Sequence, residues 1–130
     1  MNYNPNKNEI EFVNNALEKF NYEHAGPDNH LLLNIVEYDE NQNVIAGILG
    51  GTYWVWLHID ILWVDENFRS KKIGSRLLIA AENEAKKRGC HSVHVDTMSW
   101  QAPEFYKKHG FIARPTDNLG PGMIQYLKDN

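Results

Sequence analysis

Residues Val64 to Leu78 read VDENFRSKKIGSRLL. An apolar run, Leu57-His58-Ile59-Asp60-Ile61-Leu62-Trp63-Val64, enters this stretch, and a basic turn, Arg69-Ser70-Lys71-Lys72-Ile73-Gly74-Ser75, follows; a helical pattern leaves it. A strand that ends in such a turn and feeds a helix aims several backbone N–H groups at one point. The positive end of the helix dipole adds to them, so the turn is suited to an anion. The basic side chains add formal charge, which points to a phosphate or pyrophosphate. An ordinary helix start without a ligand has the same local appearance. Two phosphate-loop patterns, GxxxxGK followed by Ser or Thr and GxGxxG, are absent.

At 130 residues the chain is sized for one domain with a real core, residues 1–130. Apolar residues make up 42%, too many for a disordered chain. No apolar stretch approaches the ~18–20 residues needed to span a bilayer, so no membrane partner is expected. The polar start Met1-Asn2-Tyr3-Asn4-Pro5 is unlike a signal peptide. Cys90 is the only cysteine, so an internal disulfide is impossible and a cytoplasmic location is expected. Its place between a helix end and a strand suits a small buried apolar residue. A net charge of −4 argues against a nucleic-acid partner. The acidic remainder favours a cationic substrate such as an amine.

Along the chain, Asn8-x-x-Glu11 approximates a capping box, and Ile10, Val13, Leu17 and Phe20 recur at helical spacing, predicting a helix over 8–21. A loop with Gly26-Pro27-Asp28 follows. Leu31 to Tyr38 and Val44 to Gly51 predict a hairpin, with a break or bulge at Gly50-Gly51. Thr52 to Trp56 connects to a central strand at 57–65. A helix over 73–88 has Ile73, Leu77, Ala80, Ala81 and Ala85 on its apolar face. Glu82 with Lys86 and Glu84 with Arg88 form i,i+4 pairs on its wet side, and Gly89 closes it. A strand over 91–97, a short helix over 102–109 and strands at 111–113 and 123–128 complete the order. The expected class is α/β, a mixed and mostly antiparallel sheet with one parallel pair flanking the central helix.

The pattern Arg69-x-x-Lys72-x-Gly74 resembles the pyrophosphate loop of the GNAT N-acetyltransferase family, Arg/Gln-x-x-Gly-x-Gly/Ala. A second block, Ser99-x-x-Ala102-x-x-Phe105-Tyr106-x-x-x-Gly110-Phe111, is similar to that family's Asn-x-x-Ala-x-x-Phe-Tyr-x-x-x-Gly-Phe. The two occur in the family's order and at about its spacing, covering Ile59 to Phe111. The resemblance implies a GNAT-like sheet with a splayed parallel strand pair. It also implies acetyl-CoA as acyl donor and transfer to a primary amine of a small molecule or peptide. The family's usual first strand has only Met1 to Pro5 available here.

Carried over by resemblance, Leu62, Trp63 and Val64 lie along the pantetheine, and Arg69, Ser70, Lys71, Lys72, Ile73, Gly74 and Ser75 wrap the pyrophosphate. Lys72 stands where the family usually has Gly, which admits close backbone approach; a lysine there still offers its N–H if its φ is negative. Ser99 stands where the family often has Asn in contact with the cofactor. Tyr106 takes the position of the tyrosine whose hydroxyl lies near the CoA sulfur and protonates the leaving thiolate. The same residue can simply pack its ring under the sheet.

His58 and Asp60 alternate with Ile59 and Ile61 and project from one face of the central strand, which is where the family often finds its base. A carboxylate in an apolar strand is desolvated, which favours accepting a proton, and an imidazole needs no such help. A structural hydrogen bond between the two is the other reading. Tyr53-Trp54-Val55-Trp56 suits a cation-binding pocket, core or a dimer contact. The histidines have no metal-ligand spacing, so no metal is expected. A non-catalytic acyl-CoA sensor and a domain binding another phosphate compound stay open, as does the choice between monomer and homodimer.

Overall fold

The computed structural model describes residues 1–98, 103–114 and 123–129. Helix α1 spans Lys7–Ala25, and strands β1, Leu31–Tyr38, β2, Val44–Tyr53, and β3, Trp56–Val64, follow. A 3-10 turn, Glu66–Lys71, leads into α2, Ile73–Lys87. Then come β4, Ser92–Met98, α3, Pro103–Lys108, β5, Ile112–Arg114, and β6, Met123–Asp129. The strands form one sheet in the order β1-β2-β3-β4-β6-β5. Every neighbouring pair is antiparallel except β3 and β4. The α/β class and the mixed, mostly antiparallel sheet with one parallel pair are as the sequence predicts.

One face of the sheet carries the core. Leu33 of β1, Ala46 and Ile48 of β2, Leu57 and Ile59 of β3 and Val93 and Val95 of β4 are buried with Ile73, Leu77, Leu78, Ala81 and Ala85 of α2. Fully burying each large side chain contributes roughly 1.5–3 kcal/mol. Leu78 takes the place expected of Ala80, which is exposed. Glu82 is not on the wet side: it is buried, and Lys128 of β6 reaches it at 2.9 Å instead of Lys86. The pair Glu84 with Arg88 forms at 3.3 Å, and Arg88 also donates to the Leu32 carbonyl and the Thr52 hydroxyl. Gly89 has φ 86, as its closing role requires.

The bulge expected near Gly50-Gly51 is present. Leu49 pairs with Ile61 and Gly50 with Ile59, so Asp60 is the extra residue on β3. Beyond it Leu62 and Val64 pack toward the core, whereas Ile61 and Trp63 face the other way. Asn34 accepts from the Gly50 N–H at 3.2 Å. Gly50 must be glycine, because a Cβ there would collide with the His58 carbonyl.

Two expectations for the first half need correction. The capping box is Asn6 with Glu9, one turn-start earlier than Asn8 with Glu11, and the helix continues to Ala25. Its start is fixed by reciprocal hydrogen bonds of 2.8 and 3.0 Å. Thr52 to Trp56 is not a separate connection. Tyr53 pairs with Trp56, and Trp54-Val55 form the tip of the β2–β3 hairpin, with Trp54 at φ 47. Residues 1–5 form no strand.

Candidate active site

Strands β3 and β4 pair only from Trp56 to Ile59 and from Ser92 to Val95. Past that point they diverge, and a cavity of about 670 Å³ opens between them. Its walls are Asp60 to Val64 of β3, Val95 to Thr97 of β4, the start of α2 and the Phe105-Tyr106 pair of α3. A volume of this order is typical of a small-molecule site. The residues Leu62, Trp63, Val64, Arg69, Ser70, Lys72, Gly74, Ser75, Tyr106 and Asp60 all line it.

Lys71 and Ile73 do not. Ile73 is buried in the core, and the Lys71 ammonium sits 5.2 Å from the Phe68 ring on the far side of the turn. Ser99 lies outside the described residues. Arg69 does two things: it lines the cavity, and its Nε donates to the Val64 carbonyl at 3.1 Å, tying the strand end to the turn.

Lys72 is the N-cap of α2 with φ 59 and ψ 23. The negative φ allowed for a lysine here is therefore not what the chain adopts. The left-handed conformation that the family's usual glycine would adopt freely is retained, at a cost of about 1–2 kcal/mol. No side chain caps α2, so its first-turn N–H groups are left facing the cavity mouth with the helix dipole behind them. This is the donor set that an anionic pyrophosphate requires. Ser75 is oriented by His109, its Oγ lying 2.8 Å from Nε2. Burial, with Lys128 nearby, pushes the His109 imidazole down, toward its neutral form.

Tyr106 is buried at 6% exposure, stacked on Tyr126 at 5.2 Å and edge-on to Phe105 and Phe111. Burial, and secondarily Tyr126, pushes its phenol up to about 12. The ring thus does pack under the sheet, and its edge also lines the cavity, so the two readings of this residue are compatible.

On the face opposite α2, His58 and His94 are cross-strand partners. Their Nδ1 atoms lie 2.9 Å apart. The Nε2 of His58 is 3.0 Å from Asp60 Oδ1, and that of His94 is 3.1 Å from Asp96 Oδ1. A chain Asp60–His58–His94–Asp96 results. Asp60 and Asp96 line the cavity, which joins this chain to the site. The Asp60 side chain is 60% exposed on the face of the sheet opposite the core, so it is not buried as the sequence suggests. Tyr53 stands nearby, its phenol pushed up by burial and by the charges of Asp60 and Asp96.

His94 and Asp96 were not anticipated as site residues. Their signal is in the sequence: His58-Ile59-Asp60 and His94-Val95-Asp96 repeat one pattern on two successive strands. Cys90 is buried and burial raises its thiol, in keeping with a packing role. Among the described residues no cluster of three metal-ligating side chains occurs, and no helix is long and apolar enough to cross a membrane.

Comparison with known proteins places these features in a family context. The acetyltransferase (GNAT) family profile matches residues 3–111. A blasticidin-S acetyltransferase of Streptomyces morookaense is 38% identical over 90 residues, 68% of this chain and 66% of that one. Acetyltransferase Atu2258 of Agrobacterium fabrum is 34% identical over 109 residues, 84% of this chain and 78% of its own length. The crystal structure of an acetyltransferase from Bacillus cereus is 32% identical with a TM-score of 0.90, covering 100% of this chain and 97% of that one.

Proposed function

Since the chain belongs to the acetyltransferase (GNAT) family, and is thus an acetyltransferase whose acyl donor is acetyl-CoA, we propose that it acetylates a primary amine of a small molecule. The observation that carries this reading is the Asp60–His58–His94–Asp96 chain opening into the same cavity as Tyr106. An amine arrives as an ammonium and must lose a proton before it attacks; the leaving sulfur must gain one. A proton acceptor and a proton donor on one cavity answer both needs.

Acetyl-CoA supplies the thioester. Arg69, Lys72 and the first-turn N–H groups of α2 hold its pyrophosphate. The β3 edge from Leu62 to Val64 lies along its pantetheine, and the backbone of Leu62 and Trp63 on the side where β3 parts from β4 hydrogen-bonds its amides. Ser70, Gly74 and Ser75 shape the turn around it. The His58–His94 pair takes the ammonium proton through Asp60 or Asp96. The amine nitrogen bonds to the acetyl carbon as the carbon–sulfur bond breaks, and Tyr106 gives its proton to the sulfur.

Acidic Asp60 and Asp96 beside the Tyr53 ring favour a cationic acceptor. Likeness to a blasticidin-S acetyltransferase supports a small amine-bearing compound over a peptide. A thiol-release screen with acetyl-CoA against blasticidin S, aminoglycosides, polyamines, amino acids and peptides tests this. Release with a small amine is expected; release with peptides alone contradicts the acceptor class. Binding of acetyl-CoA without release in any class favours the sensor reading, to which the strained Lys72 lends its one observation.

A further inference from the structure

Helix α1 is amphipathic, yet it buries none of its residues. Its stripe Ile10, Val13, Leu17 and Phe20 is exposed at 49%, 67%, 59% and 56%. Among the described elements α1 makes no extensive contact with any other. An isolated helix of this kind draws most of its stability from packing an apolar face, so the stripe calls for a partner.

The same chain exposes a second apolar surface. On the sheet face opposite α2, Leu32 and Val36 of β1, Leu49 of β2 and Ile61 and Trp63 of β3 are 36–68% exposed. The pairings Leu49 with Ile61 and Val36 with Gly47, itself opposite Trp63, place them side by side. Helices α2 and α3 lie on the other face, since α2 buries Leu77 and Leu78 there and Phe105 of α3 touches Gly74 at its start. Among the described residues, no helix covers this face of the sheet.

We propose that α1 of a second copy of this chain covers this face, in a reciprocal exchange that forms a homodimer. Three observations select this occupant. First, the two apolar surfaces belong to one chain, so a two-fold arrangement satisfies both at once. Second, the linker holds α1 away from its own sheet. Only residues 26–30 separate α1 from β1, an edge strand. This linker is tied down by Trp54 N–H donating to the Asp28 carbonyl at 2.7 Å and His30 N–H to the Asp28 carboxylate at 3.1 Å. Third, α1 supplies 19 of 130 residues, too many to be misplaced in a likeness scored 0.90 over the whole chain. The Bacillus cereus crystal structure thus carries its helix in the same outlying position.

The area suffices. Side chains of this kind carry roughly 60–120 Å² of apolar surface each. With the stripe and the sheet face of both copies buried, roughly 900 Å² of apolar surface leaves water before polar atoms are added, against the ~1,200–2,000 Å² total of a stable interface. The face also bears His58 and His94, so the partner's helix would wall the acceptor side of the cavity. The exchange itself is read in mass and stands apart from the acetyl-transfer proposal.

Sedimentation equilibrium of the full chain at micromolar concentration is expected to give twice the 15.1 kDa chain mass. A monomer at tens of micromolar overturns the proposal. Leu17→Glu combined with Phe20→Glu should weaken self-association at least tenfold with the far-ultraviolet spectrum unchanged, because both side chains are exposed within one copy. Leu49→Glu on the sheet face should do the same. If only the α1 variant dissociates, the helices pair with each other and the sheet face is not the partner. If neither dissociates, the dimer uses another surface, and the proposal is overturned.

Discussion

The Nδ1 atoms of His58 and His94 lie 2.9 Å apart across the parallel β3–β4 pair. A contact that short between two ring nitrogens holds a proton on one and a lone pair on the other. The two rings are therefore held as one hydrogen-bonded unit. The groups facing it are Asp60, Asp96 and Tyr53.

Acetyl transfer should accordingly depend on the two rings jointly. His58→Gln and His94→Gln should each lower kcat by about 10²-fold, and the double variant should be no worse than either single one. Multiplied losses in the double variant would mean two independent bases. Asp60→Asn should lower kcat without unfolding the chain, because its side chain is exposed.

Tyr106→Phe keeps the buried ring and removes the proton. Turnover should fall by ~10²–10⁴-fold with acetyl-CoA affinity nearly unchanged. With the phenol pushed up to about 12, the donor stays protonated at neutral pH. The sign for stability follows. The folded value lies above the unfolded one, so the contribution is intact below pH 10 and is lost as pH rises through about 12. Alkaline unfolding of Tyr106→Phe should be less steep than that of the wild type over this window, as followed by circular dichroism.

Arg69→Glu should weaken acetyl-CoA binding at least tenfold, about 1.4 kcal/mol, by calorimetry. Part of the loss comes from releasing the Val64 carbonyl. Arg69→Lys retains the charge but not the planar Nε contact, and should fall between the two. Unchanged affinity in Arg69→Glu places the pyrophosphate elsewhere.

Lys72→Gly removes a side chain from a left-handed position. Relief of ~1–2 kcal/mol of strain, set against the entropy glycine adds to the unfolded chain, should leave a net stabilisation of about 0.5 kcal/mol. A higher denaturant midpoint checks this. A lower midpoint would show that the lysine side chain contributes more than the strain removes.

The second half of the chain was the more legible. Helix α2 and its flanking strands are dictated by local pattern, since Ile73, Leu77, Ala81 and Ala85 bury at helical spacing against alternating strand residues. Arg69, Gly74 and Tyr106 came from motifs whose register is local, and they line one cavity. What was not legible depends on tertiary placement. Nothing local says that Glu82 turns inward to Lys128, or that Lys71 leaves the cavity for the Phe68 ring. Nothing local says that the face of β3 bearing His58 and Asp60 is open, which leaves the Asp60 carboxylate exposed. The apolar stripe of α1 predicted a helix correctly but not what, if anything, it packs on, because periodicity does not specify the partner. His94 and Asp96 required pairing the two His-x-Asp strands side by side, a relation between segments 36 residues apart.

Transfer of a labelled acetyl group tests the account most directly. Acetyl-CoA labelled in the acetyl carbon is incubated with the protein and a small primary amine drawn from the screen, blasticidin S first. The account predicts label in an amide on the amine, one per CoA thiol released, none when the amine is omitted, and labelling slowed by ~10²–10⁴-fold in Tyr106→Phe. Label that stays on tightly bound CoA with every amine, or that leaves as free acetate independently of the amine, would contradict it.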